Sequence, residues 1–527
     1  MAERLYPEDL YHGSTYNDLI FTGLRRWPDR RAVVDAAGVS FSYAELEQRI
    51  RRFAAALAAQ GLRPGDAIAQ LTSNRTDAFV TMVAAMASNI RYTPLHPLAS
   101  LDDHLFILRD AEISALVVDV PAFTGRGADI AAQAAEELLL LTLGPADFGV
   151  DIIAAAMNCE PVAAFPAQPG YDDIAWVTYT GGTTGRPKGV VHTQGGMAAT
   201  ALISAAEWEW PDRVRYLASS PISHAAGFLV APTLLRGGTV FLIPAFDPDR
   251  VLDLVEQEGV NTLFLVPTMI YMLMDHPRTA TADLSNLETI IYASAPMSPT
   301  RLREALHLFG RVMVQAYGQT ESIHITTMRK QEHDLAHLPR LAAAGRAPAG
   351  MRIAVLSETG QAVPEGDIGE VCVRGPGVMR GYWKLPEVTE EVFRDGWLHT
   401  GDMGYLDADG YLFLVDRSKD MIISGGFNVY PREVEIVLSA HPAVAQSAVI
   451  GIPDDKWGEK VAAFVTCRDG QAATAEELIS LVKEKKGSVY APKIVEFESQ
   501  LPLTSLGKVD KKALRERFWE DSGRAVN

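Results

Sequence analysis

The stretch Tyr179-Thr180-Gly181-Gly182-Thr183-Thr184-Gly185-Arg186-Pro187-Lys188-Gly189-Val190 decides how this chain is read. It follows an apolar, β-rich run at residues 174–178, so it begins where a buried strand ends. Gly181, Gly182 and Gly185 expose backbone N–H groups and tolerate unusual dihedrals. Thr180, Thr183 and Thr184 add hydroxyl donors, and Lys188 adds a positive charge. Together these groups suit a polyphosphate. The P-loop spacing GxxxxGK[ST] does not fit, because Lys188 stands between Pro187 and Gly189. A flexible surface loop is the plain alternative, and the ordered string argues against it.

Upstream of this loop, helix and strand patterns alternate. Ser42-Tyr43-Ala44-Glu45 is a capping box that opens a helix. Leu46, Ile50, Phe53 and Leu57 follow at helical spacing, and Gly61 ends it. Pro64-Gly65-Asp66 turns into a strand at residues 67–71. Residues 103–110 read as a helix and 115–120 as a buried strand. Downstream, apolar runs at 239–243, 262–266 and 289–293 keep the rhythm. Strands separated by helices predict parallel α/β sheets. After about residue 350 the texture changes to short alternating segments such as Gly369-Glu370-Val371-Cys372-Val373-Arg374-Gly375, read as small antiparallel strands. A last α+β unit begins near Asp416, with strands at 448–452 and 461–466 and helices at 433–439 and 475–485.

Composition narrows the function classes. The chain has 527 residues, of which 48% are hydrophobic and 22% charged, ordinary for a globular protein with sizeable cores. At ~150 residues per domain, this length suggests three or four domain-sized units. Lys+Arg number 48 and Asp+Glu 66, a formal charge of −18. An acidic chain is a poor nucleic-acid binder and lacks a polybasic membrane anchor. The cysteines, Cys159, Cys372 and Cys467, are far apart and form no CxxC pair. That argues against a zinc ribbon or a disulfide framework. No apolar signal segment is visible at the start, and no run approaches the ~18 apolar residues of a membrane span. The expectation is a cytoplasmic protein without an integral membrane segment.

The phosphate loop resembles that of the adenylate-forming enzymes: acyl-CoA synthetases, non-ribosomal-peptide adenylation domains and beetle luciferases. The family's usual loop carries Ser where Gly181 stands, a departure that removes one hydroxyl. Further motifs follow in the family's order across about residues 170–510. Ala293-Ser294-Ala295-Pro296-Met297 resembles the segment bordering the adenine, where the family usually shows Gly-Gly-Ala-Pro. Tyr317-Gly318-Gln319-Thr320-Glu321 resembles the next motif. The resemblance implies that Tyr317 packs on the adenine, Thr320 contacts the α-phosphate and Glu321 holds Mg²⁺, a hard cation suited to carboxylate oxygen. Trp397-Leu398-His399-Thr400-Gly401-Asp402 resembles the motif whose aspartate accepts both ribose hydroxyls, as an acceptor-only carboxylate can. Asp416-Arg417-Ser418-Lys419-Asp420 resembles the junction motif, which places Arg417 on the ribose and the hinge at Lys419.

Two C-terminal matches complete the set. Ser424-Gly425-Gly426-Phe427-Asn428-Val429-Tyr430-Pro431-Arg432-Glu433 is close to the loop that serves thioester formation, with Phe427 where the family favours Glu or Tyr. Pro502-Leu503-Thr504-Ser505-Leu506-Gly507-Lys508-Val509-Asp510 resembles the segment with the catalytic lysine, which assigns that role to Lys508. Pro221-Ile222-Ser223-His224-Ala225-Ala226-Gly227 resembles the border of the acyl pocket. By their motif neighbours, Ser294, Gln315, Gly318, Ile323 and His324 line it beside His224. That lining leaves a fatty and an aryl acid equally open.

The resemblance implies an α/β fold. A large N-terminal AMP-binding domain, residues 1–418, has parallel α/β sheets plus a small antiparallel β subdomain. A smaller, mobile α+β C-terminal domain, residues 419–527, follows. It implies an acyl-CoA synthetase using ATP, Mg²⁺ and coenzyme A on a small-molecule carboxylic acid. Lys508, Glu321, Thr320 and Lys188 serve adenylation; Gly425 and Gly426 serve thioester formation. A stand-alone enzyme that loads a carrier-protein phosphopantetheine is the alternative, and a non-catalytic nucleotide-binding relative a lesser one. A homodimer is left open. A Rossmann dehydrogenase lacks its GxGxxG here, and a serine hydrolase its GxSxG.

Overall fold

A computed structural model describes residues 13–120, 122–135, 137–180, 186–417, 420–424, 427–454, 457–504 and 508–519. Two eight-stranded sheets make up most of the first 400 residues. One runs in the order Gly381–Tyr382, Lys188–Thr193, Ile174–Thr180, Arg91–Pro94, Ala67–Leu71, Ala115–Asp119, Leu139–Leu143, Val150–Asp151. The other runs Ser322–Met328, Met313–Gln319, Thr289–Tyr292, Thr262–Leu265, Arg215–Ala218, Thr239–Leu242, Arg31–Val34, Ser40–Ser42. Their central strands are parallel, as expected where helices carry the crossovers. Each sheet carries an antiparallel hairpin that bears site residues: Ile174–Thr180 with Lys188–Thr193, flanked by the edge strand Gly381–Tyr382, in the first, and Met313–Gln319 with Ser322–Met328 at one edge of the second.

The main core lies between the two sheets. It joins Ile68, Tyr92, Val117 and Trp176 of the first to Val33, Tyr216, Val240 and Leu242 of the second. Helices Tyr16–Arg26, Tyr43–Ala59 and Thr76–Ala87 fill the gap. The second of these is built as its sequence dictates. Ser42 Oγ accepts the Glu45 N–H at 3.2 Å, and the Glu45 carboxylate accepts the Ser42 N–H at 2.7 Å. Leu46, Ile50, Phe53 and Leu57 are all fully buried on one face. Helix Leu101–Asp110 starts two residues before the reading from sequence, because Ser100 caps it by accepting the Asp103 N–H.

A small antiparallel sheet follows, in the order Arg352–Leu356, Gly369–Arg374, Trp397–Leu406, Phe393–Arg394, with Leu412–Arg417 also on Trp397–Leu406. The final sheet has its own cores, drawn from residues beyond 420. Its long hairpin, Val444–Asp454 with Gly458–Cys467, extends well past the shorter strands read from the sequence. Helices Pro431–Ser439, Ala475–Lys486 and Lys511–Trp519 accompany it. Ser298 Oγ donates to Ser439 Oγ at 2.8 Å, and Arg468 pairs with Glu304 at 2.9 Å, so this unit rests on helix Pro299–Phe309. Among the described residues no helix is long and apolar enough to cross a membrane.

Candidate active site

The site gathers where the two hairpins and the small sheet meet. Met313–Gln319 and Ser322–Met328 pair antiparallel with Gln319 opposite Ser322, so Thr320 and Glu321 form the tip of a tight turn. Gly318 is required just before it: a Cβ there would lie 2.1 Å from the Ile323 carbonyl oxygen. This backbone crossing leaves Thr320 and Glu321 projecting beyond the sheet.

Three contacts fix the tip. The buried His192, on Lys188–Thr193, donates from Nε2 to the Thr320 carbonyl at 2.7 Å. Burial lowers its pKa to about 4, so it stays neutral. The Met379 N–H donates to the Glu321 carbonyl at 2.8 Å. Tyr382 OH donates to Glu321 Oε1 at 2.8 Å. Burial, with the Glu321 charge adding to it, raises the Tyr382 pKa, so the phenol remains a donor. The ammonium of Lys188 lies 5.4 Å over the same tyrosine ring. Lys188 and Glu321, 133 positions apart in sequence, therefore share one aromatic partner.

At the other end of the motif, Tyr317 OH donates to Asp402 Oδ2 at 2.5 Å. Asp402 is 8% exposed and sits on Trp397–Leu406, in register with Arg417 on the next strand. A β-bulge aims it. Between the pairs Glu370↔Met403 and Cys372↔His399 the register shifts, and Gly401 takes φ +72°. Thr400 Oγ1 donates to the Val371 carbonyl at 2.6 Å and accepts the Asp402 N–H at 3.1 Å. Glu370 Oε1 accepts the Gly401 N–H at 3.0 Å. Ser294 has φ +72°, a left-handed conformation that favours glycine. A side chain held there costs about 1 to 3 kcal/mol, and the resemblance places glycine at this position.

The acid-pocket candidates differ in how they are held. His224 is half-buried, its Nδ1 2.9 Å from Ser223 Oγ and its ring 5.1 Å edge-on to His96. Burial drives its pKa down to about 3, with His96 adding. Ile323 packs toward the core between the sheets. Gln315 is buried and accepts from Tyr292 OH at 3.0 Å. His324 is anchored from one side. Fully buried, it is hydrogen-bonded through Nε2 to Ser204 Oγ at 2.8 Å and lies 5.0 Å from the Trp208 ring. Ile323 and the Trp208 ring beside His324 border the same core between the sheets.

Thr180 is paired with Lys188 at the mouth of the phosphate loop. Lys508 stands where Leu503 bridges Val509, its N–H donating to Thr504 Oγ1 at 3.2 Å. Ala295 and Pro296 follow Ser294 beyond the strand Thr289–Tyr292. Gly181, Gly182, Thr183, Thr184, Gly185, Lys419, Gly425, Gly426 and the Arg417 side chain lie outside the described residues. Sequence reasoning missed Tyr382, His192 and Glu370. Glu370 and His399 stand in short motif-like strings that gave a hint, whereas nothing local marks Tyr382.

Comparisons with known proteins place the chain in a family. The model of the AMP-binding enzyme family matches residues 21–383, and that of the AMP-binding enzyme C-terminal domain matches 433–508. The chain is 42% identical to the medium/long-chain-fatty-acid–CoA ligase FadD8 of Mycobacterium tuberculosis, over 98% of this chain and 93% of that protein. It is 39% identical to a feruloyl-CoA synthase of Amycolatopsis, over 94% of this chain and 99% of that one. Among solved structures, the amide bond synthetase McbA of Marinactinospora thermotolerans superposes with a TM-score of 0.87 at 35% identity, covering 95% of this chain and all of McbA. By both family models and by these relatives along nearly its whole length, the chain belongs to the AMP-binding enzyme family, among its acyl-CoA synthetases.

Proposed function

We propose that this acid–thiol ligase activates a fatty or aryl carboxylic acid with ATP at the junction of the Thr320–Glu321 tip and Asp402, and passes the acyl group to coenzyme A. The observation that carries the reading is the Tyr317–Glu321 segment. One end is bonded to Asp402 and the other to Tyr382 beneath Lys188. A nucleotide laid along it meets a carboxylate for the ribose hydroxyls at one end. It meets a cation and a second carboxylate for its phosphates at the other.

The chemistry follows from the leaving group. A carboxylate is a poor acyl donor because it would expel oxide. Its oxygen instead attacks the α-phosphorus of ATP, the bond to the bridging oxygen breaks, and pyrophosphate departs. The coenzyme A sulfur then attacks the acyl carbon, its proton passes to solvent, and AMP leaves. Such a step depends on alignment and charge neutralisation. Lys188, Thr180, Thr183, Thr184 and the glycine N–H groups of the loop hold the phosphates, with Thr320 on the α-phosphate. Tyr317, Ser294, Ala295 and Pro296 flank the adenine, while Asp402 and Arg417 take the ribose. Lys508 neutralises the attacking carboxylate.

Glu321 fits a magnesium ligand. Tyr382 engages its Oε1, and its side chain lines a cavity of about 210 Å³ together with Gln319 and Thr400. Mg²⁺ bound there supplies charge neutralisation for the phosphates. His224, Gln315, Ile323 and His324 border the acid. We place the domain boundary at 418/419 with Lys419 as the pivot, so that Lys508 serves the first step and Gly425 and Gly426 the second. The cysteines Cys159, Cys372 and Cys467 are free, which suits a reducing cytoplasm.

Pyrophosphate release with Mg-ATP across fatty, aryl and aryl-alkanoic acids, with and without coenzyme A, tests this function. One responding acid class with a CoA thioester detected by mass spectrometry is the expected result. Adenylate without CoA turnover would move the acceptor to a carrier protein, and no release with any acid would overturn the reading.

A further inference from the structure

Beside the adenylation site, the small sheet carries a cluster that the mechanism does not use. Cys372 and His399 are direct cross-strand partners, and Glu370 lies two positions before Cys372 on the same face. Cys372 Sγ is 3.4 Å from His399 Nδ1, which is 2.7 Å from Glu370 Oε2, and the three donor atoms lie within 4.8 Å of one another. A tetrahedral zinc site with bonds of about 2.0 to 2.3 Å holds its donors roughly 3 to 4 Å apart. Glu370 uses Oε1 for the Gly401 N–H, which leaves Oε2 toward the cluster.

We propose that Glu370, Cys372 and His399 form a binding site for a soft divalent ion, zinc being the natural candidate, and that its occupation inhibits adenylation. Thiolate and imidazole with one carboxylate select such an ion over magnesium. Glu370 and His399 line the 210 Å³ cavity that also reaches Glu321, with room for a coordinated water, while Cys372 is fully buried behind them and burial pushes its thiol up to about 12, so an ion entering from the cavity must displace that proton. One positive group opposes the ion. Arg394 Nη2 lies 2.7 Å from His399 Nδ1 and 3.2 Å from Glu370 Oε2. Its side chain is 51% exposed and swings to solvent when the ion enters, while the thiol of Cys372 releases its proton to water. The ion would then fix Glu370 and His399 on either side of the bulge that aims Asp402. It would also set a second positive charge near Glu321.

Cobalt(II) is the probe. Titrating it into the full-length protein should give a thiolate-to-cobalt charge-transfer band in the near ultraviolet that saturates at one ion per chain and is competed by zinc but not magnesium. Cys372→Ser and Cys372→Ala should lose the band, and Glu370→Gln should weaken cobalt binding about 10-fold or more. Zinc should inhibit pyrophosphate release by the wild-type protein over the range in which it displaces cobalt, and Cys372→Ser should keep its activity there. The inhibition arm rests on the adenylation reading, whereas the spectroscopic arm does not. No band at saturating cobalt overturns the site, as does a band undiminished in Cys372→Ser, which would place the ion at Cys159 or Cys467. Equal zinc inhibition of wild type and Cys372→Ser overturns the inhibitory role.

Discussion

Replacing Tyr317 with Phe removes one oxygen and leaves the ring. That oxygen donates to Asp402 Oδ2 at 2.5 Å, and the carboxylate is 8% exposed. A hydrogen bond to an ionised group contributes about 1.5 to 3 kcal/mol. At about 1.4 kcal/mol per factor of ten, kcat/KM for ATP should fall about 10- to 100-fold. The ring itself is retained, so the loss belongs to the orientation of Asp402. The assay is initial-rate pyrophosphate release at saturating acid with varied ATP, repeated with a dideoxy analogue of ATP. If Asp402 grips the ribose hydroxyls, the wild-type protein strongly prefers ATP to the analogue, and Tyr317→Phe narrows that preference. A variant that discriminates as sharply as wild type, or whose ATP dependence is unchanged, would refute the reasoning.

Gly318→Ala drives a methyl group to 2.1 Å from the Ile323 carbonyl oxygen, so the turn must open. Overpacking of this kind costs about 1 to 3 kcal/mol, and pyrophosphate release should fall by more than the shift in Tm accounts for. Glu321→Ala should raise the magnesium concentration needed for half-maximal activity while the protein stays folded by circular dichroism. An unchanged magnesium dependence would remove Glu321 from the metal site. Acid should destabilise the fold through its buried histidines. His192 and His324 have pKa values lowered from 6.5 to about 4 by burial. Each therefore stabilises the fold above pH 6.5, and that contribution is lost as pH falls from 6.5 toward 4, at about 1.4 kcal/mol per pH unit and per group. The Tm should drop across this window, and His324→Gln should make the drop shallower.

The features legible in the chain are those with short-range causes. Ser42 and Glu45 cap a helix whose buried face repeats at helical spacing, and hydrogen bonds within four residues suffice to define its start. The Tyr317–Glu321 string was legible because its glycine, turn tip and carboxylate are consecutive. Features made by long-range pairing were not. Tyr382 reaches Glu321 because a two-residue strand adds to the edge at Val190 and Val191. The bulge at Gly401 depends on a register that Glu370 and Cys372 set from another strand. The anchoring of His324 by Ser204 and Trp208 likewise comes from residues more than 100 positions away, which no local pattern marks. The strands of the final sheet run longer than their apolar pattern suggests, because the polar ends of Gly458–Cys467 pair with Val444–Asp454 without an apolar signal.

The central step is attack of the acid oxygen on the α-phosphorus of ATP. Mass spectrometry of the products formed from a carboxylic acid labelled with heavy oxygen in both carboxylate positions tests it most directly. Attack at the α-phosphorus, followed by displacement at the acyl carbon by coenzyme A, leaves one heavy oxygen in AMP and one in the thioester carbonyl. Label in inorganic phosphate with ADP as the nucleotide product, or unlabelled AMP, would contradict it.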